Sequence, residues 1–266
     1  ADEDYARVGE RVQADFAAHA AFDGDVCFMR KDGSPVWARV QGRGVRAHDT
    51  AGGTVWILED LTAAREAQQQ QDWAAIHDPL TQLCNREAFV QRMGVLLAER
   101  SARARTPGVE AVDAAEGEGD GVMLFLDLDY FTVVNDLAGH DAGDDVLRHV
   151  ARLLESQVRQ IGWAARLGGD EFAVVLPGCS LARGQALAEQ LRAAVQAWEP
   201  SYQGRSFTLG VSIGLVVLDA SLQDVPSVLY AADMACYDAK RAGRNRVETR
   251  HADQAAASGR MALGPV

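Results

Sequence analysis

The chain has 266 residues, 48% hydrophobic and 24% charged, with a formal net charge of −12. That length holds one large domain or two modest ones, and the acidic balance argues against a general nucleic-acid binder, which would show a basic face. No apolar run approaches the roughly 20 residues of a membrane helix and no signal peptide is visible. The cysteines Cys27, Cys84, Cys179 and Cys236 form no C-x-x-C pair, so a zinc site or dithiol motif is disfavoured. Isolated cysteines read as small buried hydrophobes, and a reducing cytoplasm fits them. The sequence opens without Met, on a segment that reads as the interior of a domain. A longer protein is expected, and a membrane anchor upstream stays open.

Residues 1–20 have helical spacing, with Tyr5, Val8, Val12 and Phe16 three or four apart. Three strand-like runs follow, at Asp25–Arg30, Pro35–Val40 and Gly53–Glu59. Lys31-Asp32-Gly33-Ser34 makes a turn between the first two, and residues 47–53 a longer loop before the third. This antiparallel meander has a thin core, in which Trp37 and Trp56 are expected. Residues 61–77 are rich in good helix formers and lack Gly and Pro, which predicts a connecting helix. Asp78 either caps a helix begun by Pro79 or forms a turn ahead of a helix at 86–100. Residues 101–121 carry few large apolar side chains and read as a flexible insertion.

Residues 122–127 form a continuous apolar run, hence a buried strand. A helix is expected at 141–157. Arg166-Leu167-Gly168-Gly169-Asp170-Glu171-Phe172 then lies between apolar segments. It reads as a β-hairpin whose tight turn needs glycine at positive φ. A helix at 181–198, a strand at 207–218, a helix at 224–242 and a short last strand at 243–247 complete the pattern. The order is β-α-β-β-α-β-α-β, an α/β fold with a central, mainly antiparallel sheet flanked by helices. Residues 251–266 read as a disordered tail.

The hairpin tip carries Asp170 and Glu171, and the earlier strand ends in Asp127-Leu128-Asp129. Acidic groups on two strand ends can hold Mg²⁺ and leave room for phosphate oxygens. A solvated turn could also hold such a pair. Asn135 and Asp144 offer an amide and a carboxylate. A carboxylate accepts from both N1–H and N2–H₂ of guanine but does not match the adenine edge. Both residues could equally cap helices. Backbone N–H groups around Phe131 could cradle phosphates, as a nest or helix N-terminus does.

Four separated motifs carry a family resemblance: Asp78-Pro-Leu-Thr81 with Asn85-Arg86, Phe125 to Asp144, Gly168–Phe172, and Asp233 to Arg246. Together they resemble the GGDEF family of diguanylate cyclases over roughly residues 77–249. The resemblance implies condensation of two GTP into cyclic di-GMP and two pyrophosphates across a homodimer, with Mg²⁺ or Mn²⁺. It implies metal held by Asp127, the Leu128 carbonyl and Asp170, with Glu171 as alternative ligand or base, and Asp170 as general base. It places Asn135, His140 and Asp144 near the nucleotide, and Lys240 and Arg244 on the triphosphate. Two departures stand out. The family's Lys after Phe131 is Thr132 here, so turnover is expected to be slow unless Arg241 or another cation compensates. The family's inhibitory Arg-x-x-Asp is Arg159-Gln-Ile-Gly162, without its carboxylate, so product inhibition is expected to be weak. A catalytically weak or silent GTP or cyclic di-GMP sensor is the alternative reading.

Arg30-Lys-Asp-Gly-Ser34, Trp37, Trp56 and Glu59-Asp-Leu-Thr62 resemble the C-terminal half of a PAS sensor domain. The expected organisation is a partial PAS-like α+β module at 1–62, a connecting helix at 63–77 and a catalytic domain at 78–250.

Overall fold

The computed structural model describes residues 9–10, 12–15, 18–19, 21–46, 49–104, 120–202 and 204–250. The chain divides into two compact units, Ala1–Trp73 and Ala74–Val266. In the first, the described residues between 9 and 19 are helical; the rest of the expected first helix lies outside the described residues. Strands β1 (Ala21–Met29), β2 (Pro35–Arg46) and β3 (Asp49–Asp60) form an antiparallel sheet in that order. The first turn is as expected: Gly33 takes φ 84° and Asp32 accepts from the Ser34 N–H at 2.9 Å. Of the loop expected over 47–53, residues 49–53 are instead strand, because the β2–β3 ladder continues past a bulge at Gly44/Arg46 to pair Arg46 with Asp49; residues 47–48 lie outside the described residues. Main-chain pairing, once begun, extends through a glycine-rich stretch that side-chain propensity alone reads as loop.

The core of this unit is Phe22, Val26, Ala38 and Val40. Trp37 is half-buried under the Arg65 guanidinium, 4.1 Å from its ring centre. Trp56, expected in the core, is 42% exposed and lies flat over Gly42 on the neighbouring strand. Cys27 is exposed rather than buried, while Cys179 and Cys236 are buried as expected. Helix α1 (Thr62–Ile76) has no buried residue.

The second unit opens with helix α2 (Arg86–Ala104), which runs past its expected end; residues 105–119 and the expected tail lie outside the described residues. Then come β4 (Val122–Asp129), α3 (Phe131–Ala138), α4 (His140–Val158), β5 (Trp163–Gly168), β6 (Glu171–Leu176) and α5 (Leu181–Ala197). A small hairpin β7 (Ser201–Tyr202) and β8 (Arg205–Ser206) precedes β9 (Gly210–Val217), α6 (Val225–Arg241) and β10 (Val247–Arg250). The sheet order is β10-β9-β4-β6-β5; only the β9–β10 pair is parallel.

Strand β4 is central and buried on both faces. Leu124, Leu126 and Leu128 join the core that includes residues of α3, α4 and α5, while Met123 and Phe125 join the core that includes residues of α2 and α6. Helix α6 lies so close on β9 that a Cβ at Gly214 would run into the Ala232 carbonyl. Three expectations change here. Phe131–Ala138 is a separate short helix, divided from α4 by Gly139 at φ 88°. The strand expected at 207–218 shortens to Gly210–Val217 behind the small hairpin. The last strand starts at Val247, because Gly243, Arg244 and Asn245 all have positive φ and turn the chain instead.

Candidate active site

Asp127 and Asp129 leave the same face of β4, two residues apart, while Leu128 is buried on the other. The β4–β6 register sets Glu171 directly opposite Asp127, so both carboxylates project to one side. Gly168 (φ 150°) and Gly169 (φ 48°) close the hairpin as expected. Its tip is tied back to β4 where the Leu128 N–H donates to the Asp170 carbonyl at 3.4 Å. The two acidic stretches therefore meet.

Their charges interact. Burial pushes the Asp127 carboxyl above its ordinary pKa; Lys240 opposes the rise by donating to Oδ2 at 2.6 Å, and Asp170 and Asp129 add to it. Burial also raises Glu171, helped by the charges of Asp127, Asp233 and Asp170 and opposed by Arg86. Burial alone would lower the Lys240 pKa, but the hydrogen bond and charge of Asp127 outweigh it, and the ammonium is stabilised. Among the described residues no three His, Cys, Asp or Glu side chains form a closed cage for an ion. The hard oxygen donors of this raised carboxylate pair nevertheless suit Mg²⁺ or Mn²⁺, with further ligands from a phosphate.

Helix α6 stops at Arg241, so Lys240 and Arg244 do not share a helical face as a continued helix would give. Arg244 N–H bonds to the Ala239 carbonyl at 3.0 Å and Gly243 N–H to the Lys240 carbonyl at 3.4 Å, the paired bonds of a Schellman ending. The chain doubles back and lays the Arg244 guanidinium 5.1 Å from the Tyr130 ring centre and its Nε 3.9 Å from Asp129. Arg241 turns elsewhere, 5.9 Å from the Tyr237 ring centre. Thr132 is exposed on α3.

Phe131, Asn135, His140 and Asp144 gather on the α3–α4 helix pair. The Phe131 side chain is core, 9% exposed. Asn135 lies against Gly143, where any Cβ would overlap its Oδ1. Neither Asn135 nor Asp144 caps a helix: both sit inside one, and Asp144 pairs with Arg148 at 3.7 Å. His140 is exposed. Arg159 ends α4, exposed. At Gly162 a Cβ would overlap the Val175 carbonyl, so no side chain fits there without backbone movement.

Arg166, which no local motif marks as functional, ties two separate segments together. Its Nε and Nη2 donate to the Gly169 carbonyl at 3.0 and 2.7 Å, and its Nη1 reaches both oxygens of Asp78 at 3.2 and 3.3 Å. Asp78 forms a turn rather than a helix cap, accepting from the Thr81 N–H and hydroxyl at 2.8 and 2.7 Å. Nearby, the Asn85 side chain donates to the Ala74 and Ala75 carbonyls at the end of α1, while its oxygen caps α2 through the Ala88 N–H at 2.8 Å. The spacing of Asp78 and Arg166, 88 residues apart, gave no local signal for this contact.

An α/β sheet domain whose central strand and glycine hairpin carry interacting carboxylates, faced by a lysine, defines the class. The family described as "Diguanylate cyclase, GGDEF domain" matches residues 75–246, and the chain belongs to it. It is 36% identical over 205 residues to the "Probable diguanylate cyclase DgcE" of Escherichia coli, covering 77% of this chain and 17% of that protein. It is 37% identical over 190 residues to the "Diguanylate cyclase DgcP" of Pseudomonas aeruginosa, covering 71% and 26% respectively. The chain thus spans about a quarter or less of these relatives. Among solved structures it is similar to the coiled coil and GGDEF domain of DgcB from Caulobacter crescentus in complex with c-di-GMP. There the TM-score is 0.61 and the identity 29%, covering 71% of this chain and 93% of that one. No described helix is long and apolar enough to cross a membrane.

The Asp78–Arg166 clamp has a pH signature. Burial alone would raise the Asp78 pKa, but the Thr81 hydrogen bonds and the Arg166 charge outweigh it and hold the carboxyl below its ordinary value. A lowered folded pKa stabilises above the unfolded value and is lost as pH falls through the folded one. In Asp78→Asn, the decline of unfolding free energy below about pH 4 should be shallower than in the wild type. Urea unfolding of both proteins across that range measures it; identical slopes would remove the clamp's role.

Proposed function

We propose that the chain is the catalytic part of a diguanylate cyclase, condensing two GTP into cyclic di-GMP and two pyrophosphates. The observation that carries this is the register of β4 against β6, with Asp127 opposite Glu171 and Asp170 at the tied hairpin tip. Asp127, the Leu128 carbonyl and Asp170 would hold Mg²⁺ or Mn²⁺, with Glu171 as an alternative ligand or base. Bound there, the ion would neutralise triphosphate charge and polarise the α-phosphorus. Asp170 would take the proton of the ribose 3′-hydroxyl as that oxygen attacks the α-phosphorus of a second GTP and pyrophosphate leaves. Asn135 and Asp144 would read guanine, with Phe131 contributing through its backbone and His140 beside the base. Lys240 and Arg244 would bind the triphosphate.

Each catalytic domain would carry one nucleotide, so two copies must meet face to face. The three-stranded unit at the N-terminus would be part of a PAS-like sensor, with α1 connecting it to the catalytic domain and setting the relative orientation of the pair. Thr132 leaves the site without one transition-state cation, which makes a slow cyclase.

The decisive experiment incubates the protein with Mg²⁺ and either GTP or ATP and analyses the products. Cyclic di-GMP from GTP, nothing from ATP, and at least a hundredfold loss in Asp170→Ala are expected. GTP binding without product would make the chain a silent sensor instead. Thr132→Lys should raise the turnover number roughly tenfold; an unchanged rate would mean the missing lysine is compensated. Arg159→Ala should leave the weak product inhibition of the wild type as it is. Tight cyclic di-GMP binding in a titration, lost in that variant, would show that the degenerate Arg159–Gly162 site still works.

A further inference from the structure

We infer that Asp129 is a positioning residue that anchors Arg244 for the triphosphate, and not a second metal ligand. The inference rests on the function proposed above for its triphosphate contact; the anchoring itself rests on geometry alone.

Asp129 is 3% exposed, and both its oxygens are engaged. Oδ1 accepts from the Ser212 hydroxyl on β9 at 2.8 Å, and Oδ2 accepts from the Asn245 backbone N–H at 2.9 Å. The second bond decides the role. Arg244 and Asn245 are consecutive non-glycine residues at φ 62° and 46°. Left-handed backbone of this kind is held only where its surroundings over-determine it. The buried carboxylate supplies that restraint, fixing the main chain one residue past Arg244. Asp129 also faces the Arg244 guanidinium at 3.9 Å, so it restrains the backbone and attracts the side chain. Tyr130, at φ 61°, places its ring 5.1 Å from the same guanidinium. Arg192 braces the turn from α5, donating to Asn245 Oδ1 at 3.1 Å.

With a hydrogen bond on each oxygen and almost no exposure, Asp129 is poorly placed to bind an ion. Asp127, two residues earlier, meets Lys240 from the end of α6; Asp129 meets the turn that follows. The two acids of β4 thus hold two cations in separate ways. At Asp127 the partner is a flexible ammonium that a metal could displace. At Asp129 the cation is held through its main chain as well as its charge, by the Asn245 N–H bond beside the Arg244 guanidinium.

The test uses the whole chain, with Asp129→Ala, Asp129→Asn, Arg244→Ala and the corresponding double variants. Amide hydrogen exchange of the unliganded protein should quicken about tenfold across residues 243–246 in Asp129→Ala. The KM for GTP should rise about tenfold with kcat changed far less. In the Arg244→Ala background, Asp129→Ala should cost nothing further, because a residue acting through Arg244 has nothing left to position. Should Asp129→Ala fail to fold, Asp129→Asn carries the test. Its oxygen can keep the Asn245 N–H while its charge is gone, and a KM rise of a few fold, again absent beside Arg244→Ala, is expected. Unchanged exchange at 243–246 in Asp129→Ala, or, in whichever variant folds, KM losses that add fully to those of Arg244→Ala, would overturn the anchor. A wild type that neither binds nor cyclises GTP would sink the proposed function and leave the exchange measurement to decide the anchor by itself.

Discussion

The register between β4 and its two neighbours governs everything at this site. A slip of one residue would turn Asp127 and Asp129 to the opposite face of the sheet. In a half-exposed strand, burial of alternate side chains forbids such a slip. Strand β4 is apolar on both faces, so its hydrophobic pattern discriminates weakly between the two settings. The constraint has to come from its acidic end. There Arg166 holds the Gly169 carbonyl, the Leu128 N–H holds the Asp170 carbonyl, and Asp129 receives bonds from β9 and from the last turn. These polar contacts surround the carboxylates, so the features that would perform the chemistry also fix the strand.

The electrostatic layout follows from that register. Asp127, Asp170 and Glu171 lie within mutual influence, and burial raises the cost of keeping Asp127 and Glu171 ionised. Lys240 relieves part of that cost at Asp127. The close approach of α6 to β9, possible because residue 214 has no side chain, brings the end of that helix over the acids. Packing in the sheet interior thereby sets how much positive charge reaches the strand ends.

Much of this was legible in the sequence, and the reasons differ by element. The buried strand, the glycine hairpin and the long helices announced themselves through apolar runs, paired glycines and helical spacing, all of them local signals. The meeting of Asp127 with the hairpin tip was legible from the motifs as a set. What escaped depended on contacts between remote residues. Arg166 belonged to a recognised run, yet its partner Asp78 lies on a separate turn. Asp129 looked like half of an acidic pair until Ser212 and Asn245 filled its oxygens. The Gly243–Asn245 turn was expected as part of a last strand at 243–247, and only the carbonyls at the end of α6 show why the chain reverses there. The eight-residue α3 was missed because a helix that short has too few periods to stand out.

Gly162 limits what that position can accept. The Val175 carbonyl occupies the space where a β-carbon would sit, so the backbones of the two segments have settled together around an absence. An aspartate placed there would meet main chain rather than an empty socket, and main chain yields far less readily than a side chain. A carboxylate at this point therefore has no room until the neighbouring strand moves aside.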